Sequence, residues 1–76
     1  MNNAKRKELN KAIELLEQAQ EIVEEVLEDE HFGFNNLTDG LQQTMRGQDM
    51  EVAIENMETA IDSIDEAIGA IEDASL

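Results

Sequence analysis

Apolar side chains in the second half of the chain recur at alternating intervals of four and three residues. The series consists of Met50, Ile54, Met57, Ile61, Ile64, Ile68 and Ile71. This spacing places one apolar stripe along an α-helix, as in helices that pack in pairs. One flank of the stripe is an alanine column, Ala53, Ala60, Ala67 and Ala74. The pattern predicts an amphipathic helix from about residue 48 to residue 75.

The first half of the chain has a similar pattern and predicts a helix from about residue 3 to residue 30. Its predicted contact line comprises Leu9, Ala12, Leu16, Ala19, Val23 and Val26. Four further apolar residues widen this stripe, namely Ile13, Leu15, Ile22 and Leu27. Alanine, leucine and glutamate favour helix throughout both segments.

Residues 31–47 separate the two amphipathic segments and hold three of the four glycines. They predict a turn followed by a short helix, which Thr38 or Asn36 would cap, with Asp39 in its first turn. The whole chain, residues 1–76, is therefore predicted to be one all-α domain. Its expected architecture is an antiparallel helical hairpin with a short central helix.

The width of the apolar stripes bears on the state of assembly. A single hairpin has one helix–helix interface, which is too narrow to cover both stripes. Pairing of two copies into a dimeric four-helix bundle or coiled coil would cover them. A homodimer is the predicted assembly; a monomer closed by the central segment and a larger oligomer are the alternatives.

Composition excludes several classes of function. The 76 residues include 19 acidic and 5 basic side chains, for a net charge of −14, which opposes direct binding to nucleic acid. The absence of cysteine excludes disulfides and thiol catalysis. No long apolar run predicts a membrane span or a signal peptide, so a cytoplasmic location is expected.

The acidic residues are unevenly distributed. Four of the five basic residues lie within residues 1–11. Residues 12–76 contain eighteen acidic residues and one basic residue, Arg46. A surface for a basic partner protein is therefore predicted, formed by Glu28, Asp29, Glu30, Asp49, Glu51, Glu55, Glu58, Asp62 and Asp65. The alternative is that the carboxylates serve solubility alone.

Other candidate sites are weaker. Glu28 and His31 have the spacing used in di-iron helical bundles, but Glu28 lies on the outer ridge and the second stripe contains no glutamate. No serine or threonine has a basic partner at a suitable spacing, so catalysis is not expected. We predict no cofactor, no metal site and no enzymatic activity.

The central segment admits two interpretations. Phe32, Phe34, Leu37, Leu41 and Met45 could fold onto the open end of the hairpin. Alternatively, the segment is a recognition loop, whose candidate residues are Phe34, Asn36, Leu37, Leu41, Gln42 and Arg46.

Several short signatures lie between the two helices: Phe34-x-Asn36-Leu37, Leu41-Gln42, Arg46-Gly47 and Met50-Glu51-x-Ala53-Ile54. In this arrangement the sequence resembles a family of small acidic helical proteins encoded by tailed phages and prophages of bacteria. Those proteins usually have Pro-Glu-Ser where this chain has Thr38-Asp39-Gly40. The family is uncharacterised, so the resemblance implies a phage setting, in the cytoplasm of an infected or lysogenic host, and no mechanism.

Three functions are consistent with these patterns. The first is inhibition or modulation of a host protein, such as a CRISPR, restriction or recombination enzyme, through an acidic surface that mimics nucleic acid. The second is a structural or adaptor module whose charge confers solubility only. The third is an oligomer that sequesters a small nucleotide signal with Arg46, Asn36 and Gln42.

Overall fold

Three helices account for nearly the whole chain in the computed structural model, which describes all 76 residues. Helix α1 spans Asn3–Asn35, α2 spans Asp39–Gln42 and α3 spans Met45–Ala74, and there is no β-strand. Helices α1 and α3 run antiparallel as an elongated rod with extents of 58 × 15 × 13 Å. The predicted all-α hairpin with a short central helix is confirmed.

Each helix begins at a side chain that caps its first backbone N–H groups. The Asn2 Oδ1 atom accepts a hydrogen bond from the Lys5 N–H at 2.8 Å. Thr38 caps α2 and Thr44 caps α3, each accepting from the N–H three residues further on at 3.3 Å. Such caps satisfy donors that have no partner within the helix. Of the two candidate caps for the central helix, Thr38 is the one used.

Both long helices extend further into the central segment than the sequence predicts. Helix α1 continues to Asn35 instead of ending near residue 30, and α3 begins at Met45 instead of near residue 48. Gly33 lies within this extension and packs closely against α3, since a Cβ atom there would lie only 3.2 Å from the Met50 methyl group. Close packing against α3 thus outweighs the low helix propensity of glycine.

The contact line of α1 differs from the predicted one. The half-buried positions facing α3 are Leu9, Ile13, Leu16, Gln20, Val23 and Leu27. Leu9, Leu16 and Val23 of the predicted line are correct and Ala12 is also half-buried, whereas Ala19 and Val26 are exposed. The helix rotates to bury the larger side chains of Ile13 and Leu27, because burial stabilises in proportion to the apolar area removed from water.

The hairpin has a very small core. Ile54, with 7 % of its surface exposed, and Gly47 are the only buried residues. Every other residue between the helices is half-buried, while Leu15, Ile22 and Val26 of α1 remain more than half exposed. Two helices alone therefore leave much of the predicted apolar width uncovered.

Arg6 joins the two ends of the chain. Its Nε atom donates to the Ser75 carbonyl at 3.0 Å and its Nη2 atom to the Leu76 carbonyl at 3.4 Å. The sequence predicts that the basic start of α1 lies beside Glu72 and Asp73. The basic start does reach this end of α3, but Arg6 contacts backbone carbonyls, where a cation also complements the helix dipole.

Candidate protein-binding surface

The carboxylates of α1 and α3 converge on one side of the hairpin. The Gln20 Nε2 atom donates to the Asp65 Oδ1 atom at 2.7 Å, and the His31 Nε2 atom lies 3.4 Å from the Glu58 Oε1 atom. These two contacts show which flanks of the helices adjoin. Because residues seven apart lie on the same flank, Glu17 and Glu24 of α1 face the flank of α3 that carries Glu51, Glu58 and Asp65.

We define the acidic face as the carboxylates on this side of the two helices. It comprises Glu17, Glu21, Glu24 and Glu28 of α1 with Glu51, Glu55, Glu58, Asp62 and Asp65 of α3. All nine are exposed, and a shallow groove runs along its α1 side, lined by Glu21, Glu24, Glu25, Leu27, Glu28 and His31. No lysine or arginine forms an ion pair with any carboxylate of the chain.

The structure brings together six of the nine residues predicted for the acidic surface. Glu28 and the five from α3 belong to the acidic face. By the same helical periodicity, Asp29 and Asp49 lie on the opposite side of the hairpin, and Glu30 is half-buried along the contact line. The acidic surface is therefore more one-sided than the sequence alone indicates. Glu17, Glu21 and Glu24 join it because α1 packs in the observed rotation.

Two of the candidate loop residues direct their side-chain amides to backbone carbonyls. The Asn36 Nδ2 atom donates to the Phe32 carbonyl at 2.7 Å, and the Gln42 Nε2 atom donates to the Phe34 carbonyl at 3.1 Å. Each of these carbonyls also accepts a backbone hydrogen bond, from the N–H of Asn36 and of Leu37 respectively, so the side-chain amides add a second donor at the end of α1. Asn36 and Gln42 thus hold the turn in place.

The remaining loop residues divide between packed and exposed positions. Phe34 and Leu37 are half-buried, as the packed interpretation of this segment predicts. That interpretation is wrong for Phe32, Leu41 and Met45, which are exposed; Phe32 and Met45 expose 73 % and 79 % of their surfaces. These three residues, with the exposed Arg46, form what we call the apolar tip. Arg46 makes no hydrogen bond or ion pair and lines none of the three surface depressions.

Gln20 makes a polar contact between α1 and α3 that the apolar spacing does not predict. It occupies the middle of the apolar contact line of α1, and its Nε2 atom also donates to the Ile61 carbonyl of α3 at 3.1 Å. A polar residue within an apolar stripe is the sequence signal for such a contact, and polar residues there often define helix pairing. This signal becomes visible only after the contact line is shifted to include residue 20.

The hairpin contains no group of three or more His, Asp or Glu side chains placed to hold a metal ion. Glu28 and His31 line the same groove, but the near neighbour of the His31 ring is Glu58. None of the helices has the length and apolar character needed to cross a membrane.

Comparison with models of protein families, with curated proteins and with solved structures finds no match to this chain.

Proposed function

We propose that this protein is a non-enzymatic binding protein whose acidic face occupies a basic, nucleic-acid-binding surface of a partner protein. The observation that carries the proposal is the convergence of carboxylates from both long helices on one side of the rod. Carboxylates without basic neighbours create a strong negative potential, which attracts and orients a basic surface.

The arrangement of the carboxylates supports mimicry of nucleic acid. Glu51, Glu55, Glu58, Asp62 and Asp65 follow one another at three or four residues, or about 5–6 Å along the helix axis at 1.5 Å per residue. A regular row of negative charges along a rod resembles the row of phosphates along a nucleic-acid strand. Basic grooves that bind nucleic acid through its phosphates would accept such a row.

The resemblance to phage proteins supplies the proposed setting. We infer that the protein acts in the cytoplasm of an infected or lysogenic bacterium. Its partner would be a host enzyme that handles nucleic acid, such as a CRISPR, restriction or recombination enzyme. By covering the basic groove, the hairpin would exclude the nucleic-acid substrate. No chemical step by the hairpin itself is needed.

The proposed assembly is a homodimer that forms a four-helix bundle. The small core and the exposed apolar residues of α1 support pairing, because a second copy would cover them. In such a dimer the two acidic faces can point outward on opposite sides. One dimer would then offer two equivalent surfaces to basic partners.

A pull-down from host lysate with a salt gradient tests the acidic face. We expect a nucleic-acid-binding protein to be retained at about 50 mM NaCl and released well below about 1 M, where the Debye length is only about 3 Å. Added duplex DNA should release the same protein. Retention that is unchanged by both salt and DNA would contradict the proposal.

Charge-neutralising variants provide the matched control for this experiment. The triple variant Glu51→Gln, Glu55→Gln, Glu58→Gln should lose retention of the partner. The triple variant Glu14→Gln, Glu66→Gln, Asp73→Asn removes the same number of charges from the outer ridges of the helices and should retain it. Equal loss in both variants would point to net charge alone.

A structural or adaptor role is the second candidate, and the apolar tip is the observation that favours it. Phe32, Leu41 and Met45 are exposed in and beside the turn, where a partner could cover them. In this case the variant Phe32→Ser, Met45→Ser should abolish retention of the partner. The acidic-face variant should then keep it, and the complex should survive high salt.

A further inference from the structure

The side of the hairpin opposite the acidic face carries no charged side chain along its middle. We call this the uncharged face and define it by Leu15, Ala19, Ile22 and Val26 of α1 with Ala60 and Ala67 of α3. Leu15 and Ile22 expose 57 % and 62 % of their surfaces. In a chain with 19 acidic residues, a charge-free strip about 20 Å long, at 1.5 Å per residue, is an exception to the prevailing surface.

We propose that the uncharged face binds a second copy of this chain, with α1 of one copy lying over α3 of the other. This inference rests on the homodimer of the proposed function and specifies its interface. It does not depend on the identity of any basic partner.

The large exposed area of the single chain supports binding of a second copy. The hairpin exposes 5698 Å². A folded monomer of its mass, 8.5 kDa, typically exposes about 4,700 Å². The excess of about 1,000 Å² is similar to the roughly 800 Å² that each partner buries in a stable protein–protein interface. A second copy on the uncharged face would therefore bring the exposed area per chain to the ordinary range.

The distribution of charge favours a second copy over a different partner. Two chains of net charge −14 repel each other in most orientations. Contact through the uncharged faces brings no carboxylates together along the middle of the strip and leaves both acidic faces outside. Asp29 and Asp49 lie on the same side of the hairpin but beyond the strip, at its turn end. A basic partner would gain no electrostatic attraction at this face, whereas an uncharged apolar surface is complementary to itself.

Side-chain size determines how the two copies would meet. The contacts Arg6–Ser75, Gln20–Ile61 and His31–Glu58 show that residue numbers facing each other across the hairpin decrease on α3 as they increase on α1. Leu15 is therefore level with Ala67, and Ile22 is level with Ala60. A twofold axis parallel to the helices keeps these levels and places Leu15 and Ile22 over the partner's Ala67 and Ala60. Large side chains then meet small ones, as close packing requires.

The alternative twofold axis, perpendicular to the helices, would place α1 over α1. Leu15 and Ile22 would then meet large residues of the other copy, while the alanines of α3 would face each other across a gap. Voids and crowding both lower the stability of a packed interface. Size complementarity thus favours the pairing of α1 with α3.

Mass measurement tests whether the uncharged face pairs. Light scattering of the intact chain should give twice the chain mass of 8.5 kDa at micromolar concentration. The variant Ile22→Glu buries a carboxylate and should raise the dimer Kd by roughly 100-fold or more. The control Gln18→Glu adds the same charge on the outer ridge of α1 and should remain dimeric. Monomer mass for the unaltered chain would overturn the proposal.

Disulfide trapping tests the geometry without relying on a destabilised variant, since the chain has no native cysteine. A mixture of the variants Ile22→Cys and Ala60→Cys should form the mixed disulfide dimer under mild oxidation. Each variant alone should give little covalent dimer. Efficient self-linking of Ala19→Cys, without the mixed product, would overturn the pairing of α1 with α3. None of these readouts involves a basic partner, so failure here is distinct from failure of the acidic-face proposal.

Discussion

At the scale of single residues, two glycines in the same helix have opposite structural roles. A Cβ atom at Gly47 would overlap the carbonyl oxygen of Gln42 and lie 2.7 Å from its carbonyl carbon. A Cβ atom at Gly69 would meet nothing within 4 Å. Gly47 is thus the point at which α3 passes directly beneath the end of α2.

We expect Gly47→Ala to lower the free energy of unfolding by about 1–3 kcal/mol, since backbone atoms of Gln42 must move. Gly69→Ala should raise it by up to about 1 kcal/mol, because alanine has the higher helix propensity and no neighbour is displaced. Urea unfolding of both variants at one protein concentration measures the two changes. If both substitutions raised the free energy of unfolding, the backbone at Gln42 would be able to move without destabilising the protein.

Gln20 is the other residue whose substitution is informative. Its amide bonds to the Ile61 carbonyl, which already serves the helix, and to the exposed Asp65, which water can solvate instead. We expect Gln20→Leu to raise the free energy of unfolding by about 1 kcal/mol through added apolar burial. The control Gln18→Leu, on the exposed ridge, should give no such gain.

A destabilised Gln20→Leu protein would show that the two hydrogen bonds outweigh apolar burial in this contact line. If the gain is observed, the reason for a polar residue here is specificity of pairing. Isolated polar residues in apolar stripes define register at some expense of stability.

At the scale of elements, the existence of both long helices follows from their 4-3 spacing, but the rotation of α1 does not. Leu9, Leu16 and Val23 belong to both possible contact lines. The intervening positions decide between them: Ala12, Ala19 and Val26 in one, and Ile13, Gln20 and Leu27 in the other. Spacing alone weighs these sets equally, and only the packing partner reveals that the second buries more apolar area.

The same rotation explains why a third of the acidic face, Glu17, Glu21 and Glu24, could not be predicted. Glu51, Glu58 and Asp65 share one flank of α3 on the sequence pattern alone. The flank of α1 that adjoins them depends on the rotation of α1 relative to α3. The contacts Gln20–Asp65 and His31–Glu58 establish that rotation. Local pattern thus predicts each helix surface, and tertiary packing determines which surfaces combine.

Like charges face each other along the acidic side of α1 and α3, so the stability of the pair should depend on salt. Raising NaCl from about 10 mM to about 100 mM shortens the Debye length from about 30 Å to about 10 Å and screens this repulsion. We expect Tm to rise by roughly 4–8 °C, the shift that about 1 kcal/mol gives for a domain of this size.

Thermal unfolding followed by circular dichroism at a fixed protein concentration measures the salt effect. The variant Glu17→Gln, Glu24→Gln removes the α1 side of the facing columns and should reduce the dependence of Tm on salt. The control Glu25→Gln, Glu14→Gln changes two carboxylates that do not adjoin α3 and should reduce it less. If both double variants reduced the salt dependence of Tm equally, the repulsion would arise from net charge and not from carboxylates that face each other across the two helices.

At the scale of the whole molecule, the hairpin is a rod with chemically different sides. The acidic face lies on one side, the uncharged face lies on the other, and the apolar tip lies at the turn. The sequence predicts the surplus of acid and the excess of apolar width, but not their segregation to opposite sides. The segregation arises because an antiparallel pair brings equivalent flanks of its two helices together, carboxylates beside carboxylates and apolar residues beside apolar residues.

The hydrogen bonds from Arg6 to Ser75 and Leu76 have a consequence for protein engineering. They hold Arg6, near the start of the chain, beside the last two residues at one end of a rod 58 Å long. A host protein could therefore receive the whole sequence within a surface loop, because the graft enters and leaves at nearly the same point. Such an insertion would project the turn away from the surface of its host. A fluorophore attached at position 32 would measure the distance between the turn and the host.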